Sequence, residues 1–135
     1  ALSDAGLNAA DIGYLNLHGT GTPHNDAMES KAVHRLFAET LPCSSSKSLT
    51  GHTLGAAGAL ELGLCWLLLQ RIKEAGDNWR LPPSLYLSSR DPALAALHLV
   101  DPEYRNYPKP RYCQSNSFAF GGSNACLIFG SENGV

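Results

Sequence analysis

The 135-residue sequence has no CxxC pair, no run of basic residues, no internal repeat and no low-complexity tract. Its four cysteines, Cys43, Cys65, Cys113 and Cys126, lack metal-finger spacing and a disulfide framework, so a reducing cytoplasmic setting is expected. Cys65, inside LELGLCWLLL, is placed as a small hydrophobe would be. Charged residues are scarce, at 16%, and the formal net charge is −2, which gives no reason to expect nucleic acid or an anionic membrane as partner. The longest apolar run, Leu62 to Leu69, falls short of the ~20 residues of a membrane span, so a soluble chain is expected. No signal peptide opens the sequence, and ALSDAGLNAADIG lacks an initiator methionine and reads as the end of a helix. A piece of a longer protein, one domain or part of one over residues 1–135, is therefore expected.

Strand and helix signals alternate along the chain. IGYLNL, Ile12 to Leu17, predicts a buried strand, and a glycine-rich loop, His18 to Asn25, follows it. DAMESKAVHRLF predicts a helix capped by Asn25 or Asp26, with Met28, Ala32, Val33, Leu36 and Phe37 on one face. PCSSS predicts a short strand entering a second loop, Lys47 to Gly55. The helix after it, roughly Ala56 to Lys73, is apolar nearly all round, which predicts burial on most sides. Proline-rich chain from Asn78 to Arg111 should be mostly irregular, with a brief strand at His98 to Val100. RYCQSNSFAFGGSNACLIFG predicts an antiparallel hairpin turning around Phe120 to Asn124. This order implies an α/β fold, a mixed sheet with packed helices, whose polar loops gather at strand ends.

Three loops carry the chemistry: His18 to Asn25, Lys47 to Gly55, and Phe118 to Asn124. His18 and His52 each lie in a glycine- and threonine-rich turn after a predicted strand. A neutral imidazole donates one N–H, and two such donors aimed at one point stabilise an enolate or alkoxide. A single loop histidine bonded to backbone would be unremarkable, whereas a matched pair points to a site. His24, His34 and His98 lack that setting and are expected to be structural or surface groups. Thr20 and Thr22 offer hydroxyls to an amide-containing or phosphorylated ligand. Lys47 precedes an almost wholly apolar helix, where burial requires a partner; Glu61 and Glu29 are the available acids. TLGAAGA lacks the GxxxxGK[ST] order of a phosphate loop, and His18, His24 and His52 lack an acidic or thiolate co-ligand, so no metal is expected.

HGTGTPHNDAMES, SSSKSLTGHTLGAAGALE and SNSFAFGGSNACLIFG, in this order over Leu15 to Gly130, resemble the C-terminal part of β-ketoacyl-acyl carrier protein synthases. The resemblance implies the C-terminal, incomplete half of a thiolase-like fold. It implies a decarboxylative Claisen condensation of an acyl thioester with malonyl-acyl carrier protein, in fatty acid or polyketide synthesis, including aryl-polyene pathways. His18 and His52 then match the histidines that stabilise the enolate, Lys47 the supporting lysine and Glu61 its carboxylate partner. Thr20 and Thr22 match the threonines that bind the phosphopantetheine arm. Phe118, Phe120 and Gly121 fall in the gate segment, with Phe120 the gating aromatic. Ala119 departs from the glycine common between the two phenylalanines. No resident cofactor is implied, because the substrate arrives on the phosphopantetheine of acyl carrier protein. The nucleophilic cysteine belongs to the family's N-terminal half, so that half and the carrier protein are implied partners, in a homodimer or heterodimer. Two alternatives are a non-catalytic chain-length subunit of a ketosynthase heterodimer and an isolated pantetheine-binding module.

Overall fold

The computed structural model describes residues 1–85, 87–119 and 121–130. A four-residue helix, α1 (Leu2–Ala5), is closed by Gly6 in the left-handed conformation, and a 3₁₀ turn at Ala9–Asp11 leads into β1 (Ile12–Asn16). Then come α2 (Pro23–Phe37), β2 (Cys43–Ser44), α3 (Lys47–Thr50), a 3₁₀ turn at Leu54–Ala56, and α4 (Ala57–Glu74). A further 3₁₀ turn at Leu87–Ser89 precedes the hairpin of β3 (Tyr112–Phe118) and β4 (Asn124–Gly130). The sheet order is β2-β1-β3-β4, with β1 parallel to both neighbours and β3 antiparallel to β4. The expected strand at His98 to Val100 contracts to one parallel bridge, Leu99 to Cys43, on the free edge of β2.

Each face of the sheet carries its own core. Tyr14 and Cys113 meet Cys65, Leu68, Leu69 and Ile72 of α4 on one side, with Trp79, Leu81, Val100 and Tyr107 completing the cluster. Ile12, Leu15, Leu17 and Cys43 meet Val33 and Phe37 of α2 on the other. Strand β1 supplies both faces, alternating from Tyr14 onward, which is why it reads as nearly continuous apolar sequence. A register shift between Ile12 and Tyr14 puts Ile12 on the side of Leu15 and Leu17.

Three expectations need correction. Helix α2 starts at Pro23, with Thr22 in the cap position, not at Asn25 or Asp26, because the fixed φ of proline suits a first helical residue. Its buried stripe is Glu29, Ser30, Val33 and Phe37, whereas Met28, Ala32 and Leu36 are exposed. Helix α4 packs one face only, leaving Leu60, Trp66 and Leu67 about half exposed. With its preceding 3₁₀ turn it spans Leu54–Glu74, 21 residues of mean hydropathy 1.2, and is long and apolar enough by length and composition to cross a membrane. The uninterrupted-run criterion missed this. A buried charge, Glu61, and the packed face of α4 mark it as a core helix.

Gly13 shows how tightly β1 is held. A Cβ there would lie 2.7 Å from the Cα and Cβ of Pro110, a buried neighbour with little freedom to retreat. Gly13→Ala is expected to cost about 1–3 kcal/mol of unfolding free energy, measured as a lower urea midpoint at unchanged slope.

Candidate active site

Parallel pairing brings the loops after β1 and β2 to the same end of the sheet. The last rung runs from the Leu17 N–H to the Ser44 carbonyl at 2.8 Å, one residue before His18 and three before Lys47. Strand β3, also parallel to β1, delivers Phe118 to that end. The His18 ring lies 5.5 Å from the His52 ring, at 88° between planes, and 5.6 Å from Phe118, at 73°. The three loops of the sequence reading therefore meet, although the second is largely wound into α3 and the 3₁₀ turn that follows it.

Both histidines have their tautomer set by what faces Nδ1. The Lys47 ammonium donates to Nδ1 of His18 at 3.5 Å, and the backbone N–H of Leu54 donates to Nδ1 of His52 at 3.3 Å. Each imidazole thus accepts at Nδ1 and carries its proton on Nε2. Burial, then the charge of Lys47 and then His52, push the pKa of His18 down from 6.5 to about 4, so it is a neutral donor at pH 7.

Lys47 and Glu61 form an ion pair buried on both sides. Of the two acids offered by the sequence, Glu61 takes the lysine. Glu29 has another task that the sequence reading missed. Its two carboxylate oxygens accept the backbone N–H groups of His18 and Gly19, each at 2.8 Å, and one also accepts from the Asn116 amide at 3.1 Å. The three donors partly offset burial, which still leaves the Glu29 pKa raised. An acid eleven residues after a histidine, on the inner face of the following helix, was the available signal.

Thr20 and Thr22 bond each other through their hydroxyls at 2.9 Å. Thr20 lines a cavity of about 540 Å³ together with Ser45, Lys47, His52 and Arg90, while Thr22 sits at the cap of α2. Gly121 lies in the hairpin turn with φ of 87°, a conformation that favours glycine. Phe120 lies outside the described residues. His34 and His98 instead tether loops, through the Ala96 and Thr40 carbonyls. Burial pushes the thiols of Cys43 and Cys65 up to about 12 and raises Cys113 and Cys126, so none has the depressed pKa of a nucleophile.

A layered α/β sheet with two histidines and a lysine on loops at strand ends defines the thiolase-like ketosynthase class, and solved structures agree. A ketosynthase (ApeO) in complex with its chain length factor (ApeC) from Xenorhabdus doucetiae is similar over 96% of this chain and 31% of its own, with 51% identity and a TM-score of 0.84. A β-ketoacyl synthase from Burkholderia phymatum is similar over 98% and 31%, at 46% identity and a TM-score of 0.83. Residues 1–73 match the family described as beta-ketoacyl synthase, C-terminal domain, and the chain belongs to that family. Among curated relatives, nodulation protein E of Rhizobium meliloti is 40% identical over 131 residues, and 3-oxoacyl-[acyl-carrier-protein] synthase 1 of Haemophilus influenzae is 41% identical over 124. These alignments take in 95% and 91% of this chain, but it spans only 30% and 29% of those relatives.

Two outcomes follow from the buried charges. Glu61→Gln strands the Lys47 ammonium and should cost about 3–5 kcal/mol by chemical denaturation, whereas Lys47→Met with Glu61→Leu should recover most of it. The second concerns acid. Between pH 6.5 and about 4 the unfolded chain takes up a proton that folded His18 refuses, so stability due to His18 is present above 6.5 and lost as pH falls through that window. The raised Glu29 acts in the opposite sense. Stability measured for the parent should therefore fall more steeply over that range than for His18→Gln, and parallel curves would contradict the assignment.

Proposed function

We propose that this chain supplies the decarboxylation half of a condensing-enzyme site. The observation that carries the reading is the pair of imidazoles, each held as an Nε2–H donor with ring centroids 5.5 Å apart. Malonyl thioester enters on the phosphopantetheine of acyl carrier protein, with Thr20 and Thr22 holding the arm. The bond from Cα to the carboxylate breaks, carbon dioxide leaves, and the electron pair becomes an enolate whose oxygen accepts from His18 and His52. Its Cα then attacks the acyl thioester on a nucleophilic cysteine, a new carbon–carbon bond forms and the cysteine thiolate departs. Lys47 keeps His18 neutral and oriented, Glu61 balances Lys47, and Phe118 with Gly121 bounds the acyl side.

The nucleophile comes from outside this chain. The buried, raised thiols described above support that, as does the chain's 30% share of its relatives' length. The segment carrying that cysteine packs on the apolar surface of Leu49, Leu54, Leu60, Trp66 and Leu67, each between 48% and 73% exposed. In this reading the chain alone is inactive and no resident cofactor or metal takes part. The ketosynthase–chain length factor pairing of the ApeO structure supports a dimeric assembly. A chain-length subunit has no use for two oriented imidazoles, which favours the catalytic subunit.

The test is carbon dioxide release from malonyl-acyl carrier protein by the chain assembled with its cysteine-bearing complement. His18→Ala and His52→Ala should each slow release about 10²–10³-fold. Parental rates in both variants would remove the assignment; no release from the parent, with saturable pantetheine binding retained, would leave a binding module.

A further inference from the structure

The loops carrying the two histidines follow different strands, and β1 and β2 stop pairing before either histidine is reached. Past that point a side chain ties the backbone of one turn to the backbone of the other. The hydroxyl of Ser45 donates to the Gly19 carbonyl at 2.9 Å and accepts the Lys47 backbone N–H at 3.3 Å. It adds a side-chain rung to the ladder where the backbone rungs end. The contact is also steric: Gly19 has φ of 41°, and a Cβ there would lie 2.6 Å from the Ser45 Cβ. Beside this rung, the two turns also meet through the longer contact of Lys47 with His18, at 3.5 Å, and through the edge contact of the His18 and His52 rings.

We infer that Ser45 is a positioning residue that sets the spacing between the His18 turn and the loop bearing Lys47 and His52. The inference rests on the condensing-enzyme reading for its consequence in catalysis, but its geometry stands apart from it. The Ser45 hydroxyl acts through Gly19 on one side and Lys47 on the other. Loss of the hydroxyl lets the turns part, which moves His18 from the Lys47 charge and admits water to a ring that is now 6% exposed. The groups that face or flank His18 are Lys47 and His52 from the second loop, Asp26 and Glu29 from α2, and Glu61 from α4 behind the lysine. Of these, the Ser45 hydroxyl bonds Lys47 directly.

The readout is the pH titration of the His18 ring in the full chain, followed through its carbon-13 and proton signals. In Ser45→Ala the His18 midpoint should rise by at least about half a unit, because both burial and the lysine charge relax. Ser45→Thr keeps the hydroxyl at a residue that lines the cavity, and should return the midpoint to the parental value. If Ser45→Ala does not fold, Ser45→Cys keeps the volume with a weak donor and should show the same rise. A parental midpoint in a folded Ser45→Ala or Ser45→Cys overturns the inference. In the complete synthase, Ser45→Ala should lower kcat for decarboxylation about tenfold and leave KM for the malonyl carrier unchanged; a rise in KM alone would contradict positioning. A parent that fails to decarboxylate defeats the functional reading and leaves the titration result standing.

Discussion

The ammonium group of Lys47 is the interaction on which the rest of the site depends. It sits beneath the surface, where an unpaired charge is very costly, and it exists there because Glu61 reaches it from the next helix. From that position it acts on His18 in two ways. It occupies Nδ1, which leaves the ring proton on Nε2, and its charge reinforces burial in opposing a second proton. A reaction that develops negative charge on oxygen needs a donor already in place and already neutral, because reorienting a dipole during the reaction would return part of the stabilisation.

The scaffold serves that arrangement by fixing backbone, not only side chains. Glu29 spends its carboxylate on the N–H groups of His18 and Gly19, so the turn is shaped by an acid from α2. Asn116 of β3 braces the same carboxylate, and Phe118, two residues further along the strand, packs its ring against His18. One histidine is thereby held by elements from both sides of the sheet and by its central strands. His52, more exposed, is oriented by a local bond from Leu54, whose φ of 51° is a left-handed value unusual for a leucine. Strain of that kind is expected where a backbone donor must be aimed.

Much of this was legible in the sequence because it is written in local pattern. The strand at Ile12, the helix from Ala57 and the hairpin follow from alternation, apolar spacing and a Gly-Gly turn, and the density of histidine, threonine and glycine marked the loops. What was not legible depends on three-dimensional partners. Residue pattern alone offered Lys47 both Glu29 and Glu61; the resemblance singled out Glu61, and the packing of α4 pairs that acid with the lysine. The exposed flank of α4 misled for a related reason: residues such as Trp66 and Leu67 are apolar enough for a core, and periodicity cannot say whether their neighbours belong to the same chain. The cap of α2 was misplaced because two good capping residues follow Pro23, and proline at the first helical position outweighed them.

The most direct measurement is the tautomer of the two imidazoles at pH 7, read from nitrogen-15 shifts and long-range proton couplings of histidine-labelled protein. The account predicts that His18 is neutral and that each ring accepts at Nδ1, with its donor proton on Nε2. A proton on Nδ1 of either ring, or an imidazolium at His18, would contradict it.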